Sequence, residues 1–279
     1  MASLQIEKNG AILCAEMHGA TTARLVAFTH GGWMNRQMFE AQIRPVVNAG
    51  YRVLSWDLRG HGESSPQSMK RPTVADMSAD LISILDAAGD SKPAVLVGQS
   101  LGGMIAQHAA LTNPARVAGV VAIGSPCINP SDRKAARRMA AIWRTSGVVT
   151  RVLRRSLVIS LMAKGVAVEP DIQEYVRSAA SQQALAEFRW VAQAPLGAGR
   201  GLEGRSISVP VLIVRGDRDD TGAGKLAAAT ARNWTLRDPN AQYVEISGAG
   251  HQTNQDRSER FNEVLIKFLP TAFHDSAKE

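Results

Sequence analysis

Gly98-Gln99-Ser100-Leu101-Gly102 is the stretch whose residue types and spacing carry the clearest chemistry. It lies between Ala94-Val95-Leu96-Val97, which reads as a short buried strand, and residues 101–111, which read as a helix, with no length left for an ordinary loop. Turning from strand to helix so abruptly forces strained backbone angles on Ser100, so the residues two before and two after it must lack a Cβ. Gly98 and Gly102 meet that need. The turn presents the Ser100 hydroxyl at the positive end of the following helix, where a developing negative charge is favoured. A serine hydroxyl is a poor nucleophile at neutral pH, so it needs a base within hydrogen-bond reach and a carboxylate to orient that base.

Of six histidines, His251 is best placed as the base. It follows a predicted strand, 242–246, through Ser247-Gly248-Ala249-Gly250, a loop at the same sheet edge as Ser100. His30 and His61 belong to tight Gly-rich turns and read as loop-holding residues, while His18, His108 and His274 have no partner visible in the sequence. The carboxylate should also leave the carboxyl end of a strand. Arg215-Gly216-Asp217-Arg218-Asp219-Asp220-Thr221-Gly222 offers three, of which spacing favours Asp219, then Asp217. The chain order is then Ser100, Asp219, His251.

Those residues require a particular frame. Residues 4–8 and 11–17 flank Asn9-Gly10, a two-residue hairpin signal. Strand 24–29 runs into His30-Gly31-Gly32-Trp33, and a helix over 36–48 ends at Gly50. Strand 52–56 delivers Asp57-Leu58-Arg59-Gly60-His61-Gly62-Glu63-Ser64, and Thr73 caps a helix over 74–88 that Gly89 closes. With the strands at 94–97 and 117–123, the alternation specifies an α/β fold, a mostly parallel sheet with helices on both faces. Residues 128–206 are helical in pattern, with breaks expected at Gly147, Gly165, Pro170 and Pro195, and read as an inserted helical cap. A helix over 148–162 carries an apolar stripe, read as covering the core in preference to forming an interfacial lid. Strand 211–214, helix 225–234, strand 242–246 and helix 258–269 complete a core domain made of 1–127 and 207–279.

Composition narrows the partners. A chain of 279 residues buries a substantial core, and Cys14 and Cys127, far apart and outside any His/Cys cluster, read as buried thiols with no metal site or disulfide framework. The net charge of +7 is uneven: residues 128–206 hold 13 Lys+Arg against 6 Asp+Glu, the remainder 19 against 19. Such a segment could steer an anionic substrate; the plainer reading is solvated helix faces bearing Arg133, Lys134, Arg137 and Arg138. No nucleic-acid-binding module is recognisable. The start, Met1 to Lys8, lacks a leader pattern and no run reaches about 18 apolar residues, so no membrane span and a cytoplasmic location are expected.

His30-Gly31-Gly32, the turn from Asp57 to Ser64, Gly98 to Gly102, Gly216 to Asp219 and Gly248 to His251 together resemble the α/β-hydrolase superfamily over nearly the whole chain. The resemblance implies that Ser100 attacks an acyl carbon, that His251 moves the proton, and that Gly32 and Leu101 offer backbone N–H groups to the oxyanion. Asp57 and Arg59 are then scaffold, and neither cofactor nor metal is implied. Gly102-Gly103-Met104 and His251-Gln252-Thr253-Asn254 look most like carboxylesterases and enol-lactone hydrolases, while Ser100 excludes the branches with an aspartate nucleophile, the haloalkane dehalogenases and epoxide hydrolases. Two departures stand out: Gly222 to Gly224, read as making the acid's loop flexible, and Gly32-Trp33-Met34, which lacks the further Gly of the C–C bond hydrolases. The expected activity is hydrolysis of a small-molecule carboxylic ester or lactone, an anionic one included, through an acyl-enzyme. Acyl transfer, or perhydrolase and haloperoxidase-type chemistry, uses the same triad, and a non-catalytic receptor is the third reading. Trp33, Met34, Met104, Trp143, Phe188 and Trp190 are candidate substrate-lining residues, each also suited to the core.

Overall fold

In the computed structural model, which describes residues 2–65, 71–89 and 91–275, β1 (Ala2–Lys8) and β2 (Ala11–His18) form the expected hairpin. Asn9 and Gly10 take φ of 51° and 73°, as a two-residue turn that follows the strand twist requires. After β3 (Leu25–Thr29), the single helix expected over 36–48 is divided into a 3₁₀ turn, Arg36–Phe39, and α1 (Glu40–Asn48). The division follows from local bonds: Asn35 Oδ1 accepts the Gln37 N–H at 3.1 Å and Asp57 Oδ1 takes the Arg36 N–H at 2.7 Å. Next come β4 (Arg52–Trp56) and α2 (Val74–Ala87), which opens on a capping box between Thr73 and Asp76. Then follow β5 (Ala94–Gln99), α3 (Leu101–Thr112) and β6 (Val117–Ile123).

Four helices separate β6 from the next strand: α4 (Arg133–Val152), α5 (Arg155–Val166), α6 (Pro170–Gln182) and α7 (Leu185–Val191). Pro170 opens α6 at its first position, where its missing N–H costs nothing. Gly147 does not break α4. It sits inside the helix because a Cβ there would lie 2.0 Å from Gln193 Nε2, so the glycine serves a close approach. Gly165 likewise stays within α5, and Pro195 lies in the turns after α7. The helix expected over 148–162 is instead interrupted at Leu153 and Arg154, where the backbone is extended and Arg155 turns to donate to the carbonyls of Ala180, Ser181 and Gln183 at the end of α6. Its apolar residues divide between two faces: Ile159 is buried with Val158 and Met162 packed beside it, covering the core as expected, while Val148, Val152, Leu157 and Leu161 are exposed.

The chain returns through β7 (Val211–Gly216), α8 (Gly222–Arg237), β8 (Ala241–Ile246), the short α9 (Thr253–Asp256) and α10 (Ser258–Asp275). Among the described residues the eight strands form one sheet in the order β1-β2-β4-β3-β5-β6-β7-β8, antiparallel at β1-β2 and β2-β4 and parallel thereafter. Every residue of β5 and β6 is buried. Leu81, Met104 and Trp234, from α2, α3 and α8, pack in the core on one face, and Phe39, Val46, Phe261 and Leu265 in that on the other. The parallel strands all point one way, so the loops after β3, β4, β5, β7 and β8 meet along one edge. Among the described residues no helix is long and apolar enough to cross a membrane.

Two buried carboxylates bind that edge together. Asp57, fully buried, accepts from the Arg36 N–H and guanidinium and from the Glu63 N–H at 3.0 Å. Arg59, 1% exposed, donates Nε to Asp80 at 2.6 Å and pairs with it again through Nη2. Burial pushes the Asp80 carboxyl up from its ordinary value, and the guanidinium works against that. Asp80→Ala leaves the Arg59 charge buried without its carboxylate and should cost about 3–5 kcal/mol in chemical denaturation, whereas removing one exposed partner, as in Glu263→Ala, should cost under about 1 kcal/mol.

Candidate active site

Ser100 occupies the turn between β5 and α3 with φ 50° and ψ −109°, left-handed backbone that few non-glycine residues adopt. A Cβ on Gly98 would lie 2.2 Å from the Gly102 carbonyl, and one on Gly102 would lie 2.1 Å from the Thr29 carbonyl oxygen. Gly103 is under the same demand, since its Cβ would meet Ser125 Cβ at 2.5 Å. The Ser100 N–H donates to Ile123 O at 2.8 Å, which fixes the turn against β6.

The loops after β7 and β8 are pressed together. A Cβ on Gly216 would stand 2.2 Å from Ala249 O, and the Arg218 N–H donates to that same oxygen at 2.9 Å. This contact brings Asp219, fully buried, to His251: Asp219 Oδ2 lies 2.7 Å from His251 Nδ1. A carboxylate accepts only, so Nδ1 carries a ring proton and faces Asp219, which turns Nε2 away from it. Asp219 Oδ1 accepts from the Thr221 N–H at 3.1 Å and its hydroxyl at 2.6 Å. Burial alone would raise the Asp219 carboxyl, but the adjacent His251 and the Thr221 bonds hold it below its ordinary value. Asp217 is elsewhere, exposed and accepting from the Gly248 N–H at 2.7 Å and the Ser247 hydroxyl at 3.0 Å. Asp220 is exposed beside Lys225 Nζ at 3.5 Å.

Gly222 to Gly224 do not form the flexible loop expected of them. They are the first turn of α8, with Thr221 as N-cap accepting the Gly224 N–H at 2.9 Å. A Cβ on Gly224 would fall 2.0 Å from Asp219 Cγ, so this glycine makes room for the carboxylate.

Ser100, His251, Gly32 and Leu101 share the wall of one cavity of about 160 Å³, which Trp33, Met34 and Trp143 also line. The other three residues expected there are not in its wall. Met104 is fully buried on the inner side of α3, Phe188 lies behind Trp33 with ring centroids 5.8 Å apart, and Trp190 packs edge-on to His61 at 6.1 Å. Sequence reasoning missed Ile142, Met162, Val166, Val191 and Gln252. Met162 and Val166 stand four apart on α5, a spacing that marks one helix face once the helix's true start is known. Among the described residues no group of acidic, His and Cys side chains is arranged to hold a metal ion.

A family model described as "Alpha/beta hydrolase family" matches residues 26–264. The chain belongs to the alpha/beta hydrolase family. Among curated relatives, it is 24% identical over 275 residues to 3-oxoadipate enol-lactonase 1 of Acinetobacter baylyi, covering 94% of both chains. It is 24% identical over 289 residues to bifunctional epoxide hydrolase 2 of Sus scrofa, covering 88% of this chain and 51% of that one. Five curated relatives, the latter included, are matched over only 38% to 51% of their length, so the chain spans about half of them or less. The fold superposes on the enol-lactonase of Burkholderia xenovorans with a TM-score of 0.80 at 21% identity, covering 96% of this chain and 100% of that one.

In this family member the loop after β3 is set by two neutral histidines. His30 Nδ1 donates to Gly31 O at 2.7 Å and its Nε2 accepts the Leu58 N–H at 3.0 Å. His61 Nδ1 donates to Arg59 O at 3.0 Å and its Nε2 accepts the N–H of Trp33, itself at φ 67°, at 3.3 Å. Burial lowers His30 to about 4, and burial with the neighbouring His30 lowers His61 to about 3. Below its ordinary value of 6.5 each imidazole therefore takes a proton in the unfolded chain that the folded chain refuses. Stability should fall by up to about 1.4 kcal/mol per pH unit per histidine as pH drops from about 6.5 towards about 4, in urea titrations at stepped pH. His61→Gln, which keeps an acceptor and a donor, should flatten that slope. Asp219 contributes outside this window, because a lowered carboxyl loses its stabilisation only below its ordinary value of 3.8.

Proposed function

We propose that this hydrolase cleaves a small-molecule carboxylic ester or lactone through an acyl-enzyme on Ser100. The observation that carries the reading is the 2.7 Å contact of Asp219 with His251 Nδ1, in a cavity wall that His251 shares with Ser100. In this reading His251 Nε2 takes the Ser100 proton as Oγ attacks the acyl carbon, then gives it to the leaving alcohol. Water, deprotonated by the same nitrogen, cleaves the acyl-enzyme and releases the acid. The oxyanion receives the N–H groups of Leu101 and Gly32. Leu101 is the first residue of α3, whose leading N–H groups have no intrahelical acceptor, and among the described residues the Gly32 N–H has none. Trp33 is not a third donor, its N–H being taken by His61. Residues 128–206 act as the cap, contributing Ile142, Trp143, Met162 and Val166 to the cavity.

Two features narrow the substrate. Among the described residues His251 is the only titratable side chain in the cavity wall, so a neutral acyl group is favoured over the anionic one that the basic segment left open. A serine that opened an epoxide would be left as an ether, with no acyl carbon for water to attack, so the epoxide hydrolase relatives do not set the reaction here. The full-length match to an enol-lactonase supports the lactone alternative.

A fluorophosphonate probe should label Ser100 in the parent and nothing in Ser100→Ala. His251→Ala should lower kcat/KM by about ten-thousandfold or more, with the fold intact by circular dichroism. A folded, unlabelled parent that turns over no ester or lactone would overturn the assignment. Asp219→Asn, which permits the wrong imidazole tautomer, should cost up to about ten-thousandfold, while Asp217→Asn should stay within about tenfold. Of two esters with acyl chains of equal length, the neutral one should have the higher kcat/KM, by about tenfold or more, than the one ending in a carboxylate.

A further inference from the structure

The helices that close the cavity have a second face. Ile142, Trp143 and Ser146 of α4 and Met162 and Val166 of α5 line the cavity. On the outer side stand Val148 (56% exposed), Val152 (74%), Leu153 (41%), Leu157 (47%) and Leu161 (57%), with Val149 beside them. Six of the ten large apolar side chains exposed among the described residues thus fall between positions 148 and 161. Their spacing makes them one stripe, since 148 and 152 are neighbours on α4, 157 and 161 on α5, and Leu153 joins the two.

Along α4 and α5 themselves the charge is of one sign. Residues 133–168 contain nine Lys+Arg and no Asp or Glu. Among the described residues none of the nine forms an ion pair, whereas Arg36, Arg59, Arg116, Arg215 and Arg257 elsewhere each face a carboxylate. Arg155 is occupied by carbonyls of α6 and Arg151 donates to Gln193 Oε1 at 3.2 Å, but Arg144, Arg154 and Lys164 are exposed beside the stripe. A second copy of this chain would set nine cations against nine. Nucleic acid would offer the aliphatic stripe nothing to bury against.

We propose that the outer face of α4 and α5 docks on an anionic lipid bilayer, the aliphatic stripe entering the headgroup boundary and the arginines meeting acidic headgroups. Such docking is peripheral and reversible: one stripe and a few cations hold far less tightly than a spanning helix. It sets the cavity just behind the docked face, one helix diameter from the lipid.

The test is flotation of the full chain with phosphatidylcholine vesicles, alone or with about 30% phosphatidylglycerol, at low and high salt. The chain should float with the anionic vesicles, bind the neutral ones at least about tenfold more weakly, and detach as salt rises. Leu157→Glu with Leu161→Glu, and separately Arg154→Gln with Lys164→Gln, should each weaken binding by about tenfold or more, at about fivefold per cation for the second pair. All four side chains are on the surface, so circular dichroism and thermal unfolding should match the parent. Ser100→Ala should float like the parent, which separates this inference from the catalytic one. Failure to float with anionic vesicles, equal binding to neutral ones, or a dimer in sedimentation that Leu157→Glu with Leu161→Glu dissociates while vesicle binding is unchanged would each overturn it.

Discussion

The close approach of α3 to the ends of β3 and β5 is the constraint on which the rest of the site depends. Gly98, Gly102 and Gly103 lie so near Gly102, Thr29 and Ser125 that a single Cβ at any of them would overlap heavy atoms at 2.1 to 2.5 Å. A helix that starts so tightly against the sheet leaves Ser100 no ordinary backbone angles, and its φ of 50° is held by the Ile123 carbonyl and by buried strands on either side. Strain of that kind persists only where surrounding packing over-determines it, and the fully buried centre of the sheet supplies that packing. The same closeness sets the start of α3 beside the Gly32 loop.

The polar scaffold works by removing alternatives. His30 and His61 are kept neutral by burial, so each has one donor and one acceptor nitrogen, and each ties two stretches of backbone that have no other reason to meet. Their bonds consume the N–H groups of Leu58 and Trp33 and leave that of Gly32. Asp256 acts similarly across the cavity's other wall, accepting from Gly250 at 2.8 Å, Val168 at 3.0 Å and Glu169 at 3.1 Å. One carboxylate therefore fixes both the loop that carries His251 and the segment that follows α5.

The sheet and the proposed triad were legible because each rests on local rules. Asn9-Gly10 declares a hairpin, Thr73 with Asp76 a helix start, and Gly98 and Gly102 a turn that only a missing Cβ permits. What escaped the sequence depends on neighbours far along the chain. Gly147 looks like a helix breaker until Gln193 is seen against it, and Gly224 like slack until the Asp219 carboxylate fills the space beside it. The interruption at Leu153 and Arg154 is set by α6, some 25 to 28 residues later, through the three carbonyls that bind Arg155. Phe188 and Trp190 have the composition of pocket residues, and only tertiary packing puts them behind Trp33 and His61 instead.

The helical segment also shows why net charge alone predicts poorly. Its excess of positive charge left room for a field aimed at the substrate beside the plainer reading of solvated helix faces, and among the described residues no Lys or Arg lines the cavity. The inner faces of α4 and α5 are largely apolar, and Arg144, Arg151, Arg154 and Lys164 are exposed, as the aliphatic side chains of the stripe are. At physiological ionic strength a charge is largely screened beyond about 8 Å, a distance comparable to one helix diameter. A cation on the outer face therefore acts mainly on what touches that face. The link from there to the loop that carries His251 is mechanical: α5 ends at Val166, whose carbonyl accepts the Gln252 N–H at 2.9 Å, one residue after His251. A shift of α5 along its axis would reach His251 through that bond before it reached any strand of the sheet.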